Sequence, residues 1–217
     1  MKLTNIIIKG DIVSDMLSNA SVQDEIEKYV EEQFELQKEK AMQEFDSHPV
    51  TQEIMNPEGG NVSNTLGGYG DLFGFIGFEA GSDPVDPVRM ALRSKLKLKG
   101  TNLSILYPRN ARGQFAPGAR TKMLKINFEV PDLNDFNESA EFQGWNGGRN
   151  WVKGIERGIS GVSYYANYPR GRSERGLQLK GPITDGPSDR PLGFKTKPYI
   201  TKIVNNFKKN FTNNIEQ

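Results

Sequence analysis

The sequence predicts an α+β fold, in which a long N-terminal helix and a C-terminal helix pack on a small antiparallel sheet of about four strands, with long loops. Three observations indicate this class: an acidic amphipathic run near residue 20, alternating strand patterns in the middle, and an amphipathic run near the end. A length of 217 residues favours one α+β domain over 1–217. The mean hydropathy of −0.61, with 23 glycines and 12 prolines, indicates much irregular backbone.

The first helix is predicted from a capping pattern, a stripe of apolar side chains and a terminating proline. Ser21 and Asp24 resemble a capping box at its start. Acidic side chains separate the apolar positions, which recur near helical spacing. These positions are Val22, Ile26, Tyr29, Val30, Phe34, Ala41 and Phe45. Pro49 ends the helix, because the residue before a proline is pushed out of helical geometry.

Residues 55–84 are predicted to form an extended Gly/aromatic loop or hairpin. Within 65–78, glycines alternate with large apolar residues, which is typical of a packed irregular segment and provides no nucleophile, metal set or acid–base pair. The glycines do not match a phosphate-binding loop, since no Gly-Lys-Ser/Thr follows them. We therefore predict a subunit interface here. Its residues are Leu72, Phe73, Phe75, Ile76 and Phe78.

The middle of the chain carries a short helix and then strand patterns. Asp86 and Pro87 predict the start of a helix that continues through about Arg93. Strict alternation of apolar and polar residues follows, with a break at Gly100. The alternating segments are 95–99, 103–107 and 123–130. We expect antiparallel strands with one wet face, followed by an inserted loop at about 131–150.

Two further helices are indicated after residue 150. Asn150 is placed to cap a helix carrying Trp151, Ile155, Ile159 and Val162, although two glycines four residues apart argue against a stable helix, and both interpretations stay open. Pro198 opens the C-terminal helix, whose apolar residues lie on one stripe. They are Ile200, Ile203, Val204, Phe207 and Phe211.

The net charge of +1 conceals a strong asymmetry between the two halves of the chain. Residues 1–90 hold 6 basic and 17 acidic side chains, a net of −11, whereas residues 91–217 hold 22 and 10, a net of +12. If the halves occupy separate faces, opposite faces of neighbouring copies attract each other, which suits a ring or stack. If they intermix in one domain, they neutralise each other locally.

The residue types argue against an enzyme. There is no cysteine and one histidine, which excludes disulfides, thiolate catalysis and multi-histidine metal sites. We predict no catalytic, cofactor-binding or metal-binding residue. For His48 we expect a helix-terminus contact or turn hydrogen bond rather than a role as general base. The acidic residues within 129–141 lack the glycine turn of a calcium loop and indicate a solvated surface.

The N-terminal apolar run is far shorter than the roughly 20 residues that span a bilayer, and no cleavage site follows it. We therefore expect a soluble chain that stays on the cytoplasmic side during synthesis, with no membrane partner.

Basic residues in the second half alternate with aromatic ones, a composition that also suits nucleic acid. Basic side chains follow phosphates, and aromatic faces stack on bases. The arginines predicted to contact DNA in a channel, or an acidic partner, are Arg109, Arg112, Arg120, Arg170, Arg172 and Arg175. A soluble nucleic-acid-binding module is one alternative, and charges that only solvate loops or meet the acidic half of a neighbouring copy are the other.

Several short patterns carry a family resemblance. They include the turn from His48 to Thr51, the Tyr165-Ala166 pair before a glycine-containing turn, and Pro198-Tyr199 at the start of the last helix. The matching segments are 45–54, 65–78, 161–168, 171–173, 176–181 and 198–200. On these residues the chain resembles the tail-completion and neck (head–tail joining) proteins of tailed bacteriophages, including the lambda minor tail protein Z-like group. It departs from that pattern in a long insertion through Phe78 and in the extra segment 131–150.

This resemblance implies a structural virion protein whose copies form a ring between the head connector and the tail, with a channel for DNA. Its partners would be other copies of the chain, head connector or adaptor proteins, and tail tube or terminator proteins, with transient non-specific contact to DNA. The chain would be assembled in the host cytoplasm and reside in the virion, without a cofactor. A tail terminator at the same junction is an alternative.

Overall fold

The computed structural model describes residues 1–9, 20–60, 62–66, 71–106, 121–142, 149–157 and 197–216. Within these ranges lie six α-helices, five β-strands and two short 3₁₀ helices. The strands are β1 (Lys2–Lys9), β2 (Lys97–Leu106), β3 (Thr121–Val130), β4 (Glu141–Phe142) and β5 (Arg149–Asn150). The α-helices are α1 (Ala20–Ser47), α2 (Pro49–Met55), α3 (Leu72–Ile76), α4 (Val85–Lys95), α5 (Trp151–Arg157) and α6 (Ile200–Glu216). The 3₁₀ helices are Pro57–Gly59 and Leu133–Phe136.

This arrangement confirms the α+β class, with a main sheet of three strands rather than about four. The order is β1-β3-β2, with both neighbours antiparallel to β3. The two alternating segments on either side of Gly100 form one strand, β2, because a bulge between Leu98 and Gly100 carries the pairing past the break. Gly100 has φ 117°, which a residue without Cβ adopts without steric cost.

The sequence prediction missed β1. The apolar run at the N-terminus is too short for a membrane span, but the eight residues of β1 are ample for a strand. The strand pairs from Lys2 opposite Val130 to Lys9 opposite Met123. None of the described helices is both long enough and apolar enough to cross a membrane.

The chain divides into two compact units. The first comprises Met1–Met42, Leu92–Asp132 and Val204–Gln217, and the second comprises Gln43–Ala91 and Leu133–Ile203. Each unit combines segments that are distant along the chain.

The core of the first unit lies between the sheet and two helices. Along β3, Leu124, Ile126, Phe128 and Val130 are buried while the residues between them are partly exposed, which confirms the predicted wet face. From α1, the Phe34 ring meets the Phe128 ring at 6.4 Å between centroids. It also meets two rings of α6, Phe207 and Phe211, each at 5.4 Å and edge-on.

The apolar stripes predicted for the two long helices are largely confirmed. On α6, all five predicted residues are buried. On α1, the buried ones are Val30, Phe34, Ala41 and Phe45. Tyr29 differs, because its side chain is 47% exposed and its hydroxyl donates to the Asn214 carbonyl of α6 at 3.4 Å. Helix α1 ends at Ser47, as Pro49 predicts, but that proline immediately begins α2.

In the second unit, Asp83, Asn150 and His48 each cap the start of a helix. The Asp83 carboxylate accepts from the N–H groups of Val85 and Asp86 at 3.0 and 3.1 Å, so α4 begins earlier than the Asp86-Pro87 pair predicts. Asn150 accepts from Lys153 N–H at 3.0 Å and caps α5, as predicted. Of the residues predicted for that helix, Ile159 and Val162 lie outside the described residues. The third cap, at His48, belongs to the site below.

The segment 131–150, predicted as an inserted loop, holds local structure in its described part. A 3₁₀ helix, Leu133–Phe136, buries Phe136, and β4 pairs with β5. Glu129, which precedes this segment on β3 in the first unit, forms an ion pair with Lys99 at 3.1 Å.

Candidate interaction site

The described part of the Gly/aromatic stretch, which the sequence predicts as a loop or hairpin, includes a helix of five residues, α3. The Asp71 carboxylate accepts from Gly74 N–H at 2.6 Å and caps its start. Gly77 ends it with φ 87°, in the left-handed conformation that glycine adopts easily, and donates to Phe73 O at 3.1 Å. Asp71 and Gly77 therefore delimit a short capped helix.

A buried carboxylate from α2 anchors this segment. Glu53 is fully buried, and its Oε1 accepts from Leu72 N–H at 2.9 Å, at the first residue of α3. Its Oε2 accepts from Ser63 N–H at 2.7 Å, and Ser63 is linked to Thr65 through their hydroxyls at 2.6 Å. Hydrogen bonds to both oxygens offset the cost of burying the charge. One side chain thus fixes the backbone at two points of the chain that flank residues 67–70.

The five predicted interface residues fall into two groups. Leu72 is fully buried and Ile76 is 8% exposed, so within the chain both pack in the core of the second unit. The other three are half-buried. The Phe73 and Phe78 rings lie 5.4 Å apart, and Phe78 meets Trp151 edge-on at 5.8 Å. We call Phe73 and Phe78 the phenylalanine face; Phe75 is two residues from Phe73 in α3 and projects from a different side of the helix.

This division predicts different outcomes for two neighbouring substitutions. Ile76→Asp should lower the free energy of unfolding by about 3–5 kcal/mol, because it places a charge at a buried position. Phe75→Asp should cost less than about 2 kcal/mol, since water still reaches that side chain. Urea unfolding of both variants measures the difference, and equal losses would contradict the assignment of only Ile76 to the core.

His48 lies at the junction of α1 and α2 and caps α2. Its Nδ1 accepts from Val50 N–H at 3.3 Å, which confirms the predicted helix-terminus role. The His48 ring lies 4.8 Å from the Tyr199 ring, which also stacks on Phe45 at 5.6 Å. The Tyr199 hydroxyl shares a 2.6 Å hydrogen bond with Thr51, and burial raises the pKa of that hydroxyl. The His48 cap and the Thr51–Tyr199 hydrogen bond thus fix the rings that pack at this junction.

Another carboxylate, Glu156 of α5, holds the start of α6. Its Oε1 accepts from the N–H groups of Tyr199 and Thr201 at 3.3 and 2.7 Å, and its Oε2 accepts from the Thr201 hydroxyl. Lys197 N–H donates to Ile155 O at 3.2 Å beside it. A carboxylate at a helix N-terminus satisfies free N–H groups and is favoured by the helix dipole.

The His48 cap predicts a pH dependence of stability. Burial, followed by the positive charges of Lys202 and Lys197, lowers the pKa of His48, while its hydrogen bond to the Pro198 carbonyl opposes this. Below the ordinary pKa of about 6.5, the unfolded chain therefore binds more protons than the folded chain, so stability falls as the pH drops toward the lowered pKa. His48→Asn retains a capping side chain without titrating.

Urea unfolding at several pH values between about 7.5 and 5 measures this effect. Below about pH 6.5, the free energy of unfolding should fall more steeply with decreasing pH in wild type than in His48→Asn. Above about pH 6.5, it should depend on pH equally in both proteins. Parallel curves over the whole range would contradict the cap's sensitivity to protonation.

The described residues hold no group of three or more His, Asp or Glu side chains placed to bind a metal ion. The six arginines predicted to contact DNA or an acidic partner all lie outside the described residues. The structure thus brings two of the predicted interface residues, Phe73 and Phe78, into contact and does not test the arginines.

Sequence reasoning missed Glu53, the residue that positions this site. A signal was present: Glu53 shares helical spacing with Val50 and lies next to Ile54, and both of these are buried. A carboxylate on an apolar helix face is rarely buried without dedicated partners. Its partners, 10 and 19 residues further along the chain, are set by tertiary structure.

Comparison of the chain with protein-family models, curated proteins and solved structures found no match. What the protein does must therefore follow from its own residues and their geometry.

Proposed function

We propose that this chain is a structural protein of the neck of a tailed phage, whose copies form a ring that joins the head connector to the tail and leaves a channel for DNA. It acts through contacts between subunits. It would meet connector or adaptor proteins on one side and tail tube or terminator proteins on the other, and would reside in the virion after assembly in the host cytoplasm.

One observation carries this proposal: among the described residues, the fully buried carboxylate of Glu53 and the histidine are committed to backbone groups. Both oxygens of Glu53 accept backbone N–H donors, and His48 caps a helix. General acid–base catalysis needs such groups within reach of a substrate. Here the buried carboxylate instead fixes the segment that bears the phenylalanine face. A half-buried aromatic surface on an anchored backbone suits protein contact, since aromatic residues dominate interface energetics.

Two further features support a ring. The resemblance to neck and tail-completion proteins rests on segments that include 45–54 and 65–78, and both contribute to the anchored site. The opposite charges of the two halves of the chain favour association of copies through unlike surfaces. Surfaces that differ on the two partners generate closed rings when the rotation closes.

Self-association and DNA binding of the purified chain test the proposal together. Sedimentation velocity over a range of protein concentrations should show a defined oligomer. Fluorescence anisotropy with random-sequence duplex DNA should show weak binding. A nucleic-acid-binding module would instead bind DNA tightly as a monomer, and its affinity would fall steeply between about 50 and 200 mM salt, because released counterions set that slope.

The shape of the assembly supplies the second measurement. Negative-stain electron microscopy of the oligomer should show rings with a central channel wide enough for a duplex. A monomer at every concentration, or turnover of a small molecule by the isolated chain, would overturn the proposal.

A further inference from the structure

We propose that copies of this chain join head to tail, with the outer face of α1 in one copy docked on the open face of the three-stranded sheet in the next. This inference rests on the proposed ring and names the surfaces that build it. Both surfaces belong to the first compact unit, and both consist of described residues.

The outer surface of α1 is apolar as well as acidic. Tyr29 and Leu36 are 47% and 48% exposed, and their seven-residue spacing places them on one side of the helix, two turns apart. That side is opposite the buried residues such as Phe34. Two exposed glutamates, Glu25 and Glu32, share it. We call Glu25, Tyr29, Glu32 and Leu36 the outer helix stripe.

The sheet presents the complementary surface. Leu3 on β1 and Lys97 on β2 both lie opposite Glu129 of β3, so the three residues form one row across the open face. Leu3 is 62% exposed and Lys97 is exposed. Lys125 shares this face of β3, since it is four residues from Glu129 along the strand. Leu3, Lys97 and Lys125 form the open sheet face.

Among the described side chains of this face the charge is positive, although they include Glu129. Lys99 forms an ion pair with the Glu129 carboxylate at 3.1 Å. Lys97 and Lys125 are therefore left in excess on the open sheet face. The outer helix stripe carries two carboxylates beside two exposed apolar side chains, so each surface offers the opposite charge and a matching apolar contact.

The two surfaces lie on opposite sides of the unit. The inner side of α1 contacts the inner side of the sheet through Phe34 and Phe128, whose ring centroids are 6.4 Å apart. The outer helix stripe and the open sheet face therefore point away from each other. One copy cannot satisfy both surfaces by itself, and a contact between unlike surfaces on opposite sides propagates from copy to copy.

Charge reversal on each surface tests the docking. The helix variant carries Glu25→Lys and Glu32→Lys, and the sheet variant carries Lys97→Glu and Lys125→Glu. Each variant alone should associate at least about tenfold more weakly than wild type in sedimentation velocity, because two attractive pairs become repulsive. An equimolar mixture should associate again. In it, the unchanged sheet of one variant meets the unchanged helix of the other, and the two reversed surfaces also match.

Matched controls separate this specific rescue from general attraction between oppositely charged proteins. One control carries Glu58→Lys and Glu79→Lys, and the other carries Arg157→Glu and Lys209→Glu, all at exposed positions that belong to neither surface. These variants should associate like wild type, both alone and mixed. Far-UV circular dichroism checks that every variant is folded.

The outcomes distinguish this inference from the proposed function. If wild type forms the oligomer and the helix and sheet variants form it equally well, the docking is wrong and the ring proposal stands. If each variant is monomeric and the mixture stays monomeric, head-to-tail contact through these two surfaces is also wrong. A wild-type chain that never associates overturns both the docking and the ring.

Discussion

Phe34→Ala is expected to lower the free energy of unfolding by about 3–5 kcal/mol, the usual cost of truncating a buried phenylalanine. The Phe34 ring is almost fully buried and meets the rings of Phe128, Phe207 and Phe211 edge-on. Truncation removes apolar burial and all three ring contacts, and it leaves a cavity between α1, α6 and β3. Because domains are stable by only about 5–15 kcal/mol, the loss should be visible as a large drop in the denaturation midpoint.

Guanidinium unfolding followed by far-UV circular dichroism measures this loss, since α1 is the longest helix described. Phe34→Leu is the matched control, because it retains much of the volume and should cost about 1–2 kcal/mol. Leu36→Ala, two residues away on the exposed side, should leave stability within about 0.5 kcal/mol of wild type. A Phe34→Ala loss below about 1 kcal/mol would contradict the assignment of this cluster as the core of the first unit.

The elements that sequence reasoning predicted well are those whose pattern repeats over several turns or residues. Five apolar positions on α6 recur at helical spacing, and all five are buried. The alternation along β3 likewise predicts its buried and wet faces. In both cases burial of one face drives the structure, so the local pattern and the tertiary packing agree.

The elements that sequence reasoning missed depend on partners that are distant along the chain or on backbone freedom. Helix α3 is too short and too rich in glycine to be predicted from propensity, and it is held by Asp71 and by Glu53 from α2. The continuous strand β2 depends on the bulge between Leu98 and Gly100. In the sequence, Gly100 interrupts the alternation that predicts a strand. Leu72 and Ile76 are apolar like the residues of the phenylalanine face, so residue type does not distinguish them. Their positions on the turn of α3 determine that they are buried.

Glu53→Gln should lower the free energy of unfolding by about 2–4 kcal/mol, although it changes only one oxygen to an NH₂ group. The carboxylate accepts from Ser63 N–H and Leu72 N–H with its two oxygens. An amide offers one acceptor, so one of these N–H groups would face another donor and remain buried without a partner. The backbone on one flank of residues 67–70 should then detach, which would disturb the phenylalanine face.

Amide hydrogen exchange locates this effect. The Ser63 and Leu72 amides should lose protection in Glu53→Gln by more than the surrounding residues, because local opening no longer breaks a charge-assisted hydrogen bond. Glu58→Gln, an exposed glutamate on the neighbouring 3₁₀ helix, is the matched control and should change neither stability nor exchange. Unchanged protection at both amides would show that Glu53 does not hold the segment. If protection and oligomer formation are lost together in Glu53→Gln, then the anchored backbone is a requirement for subunit contact as well as for folding.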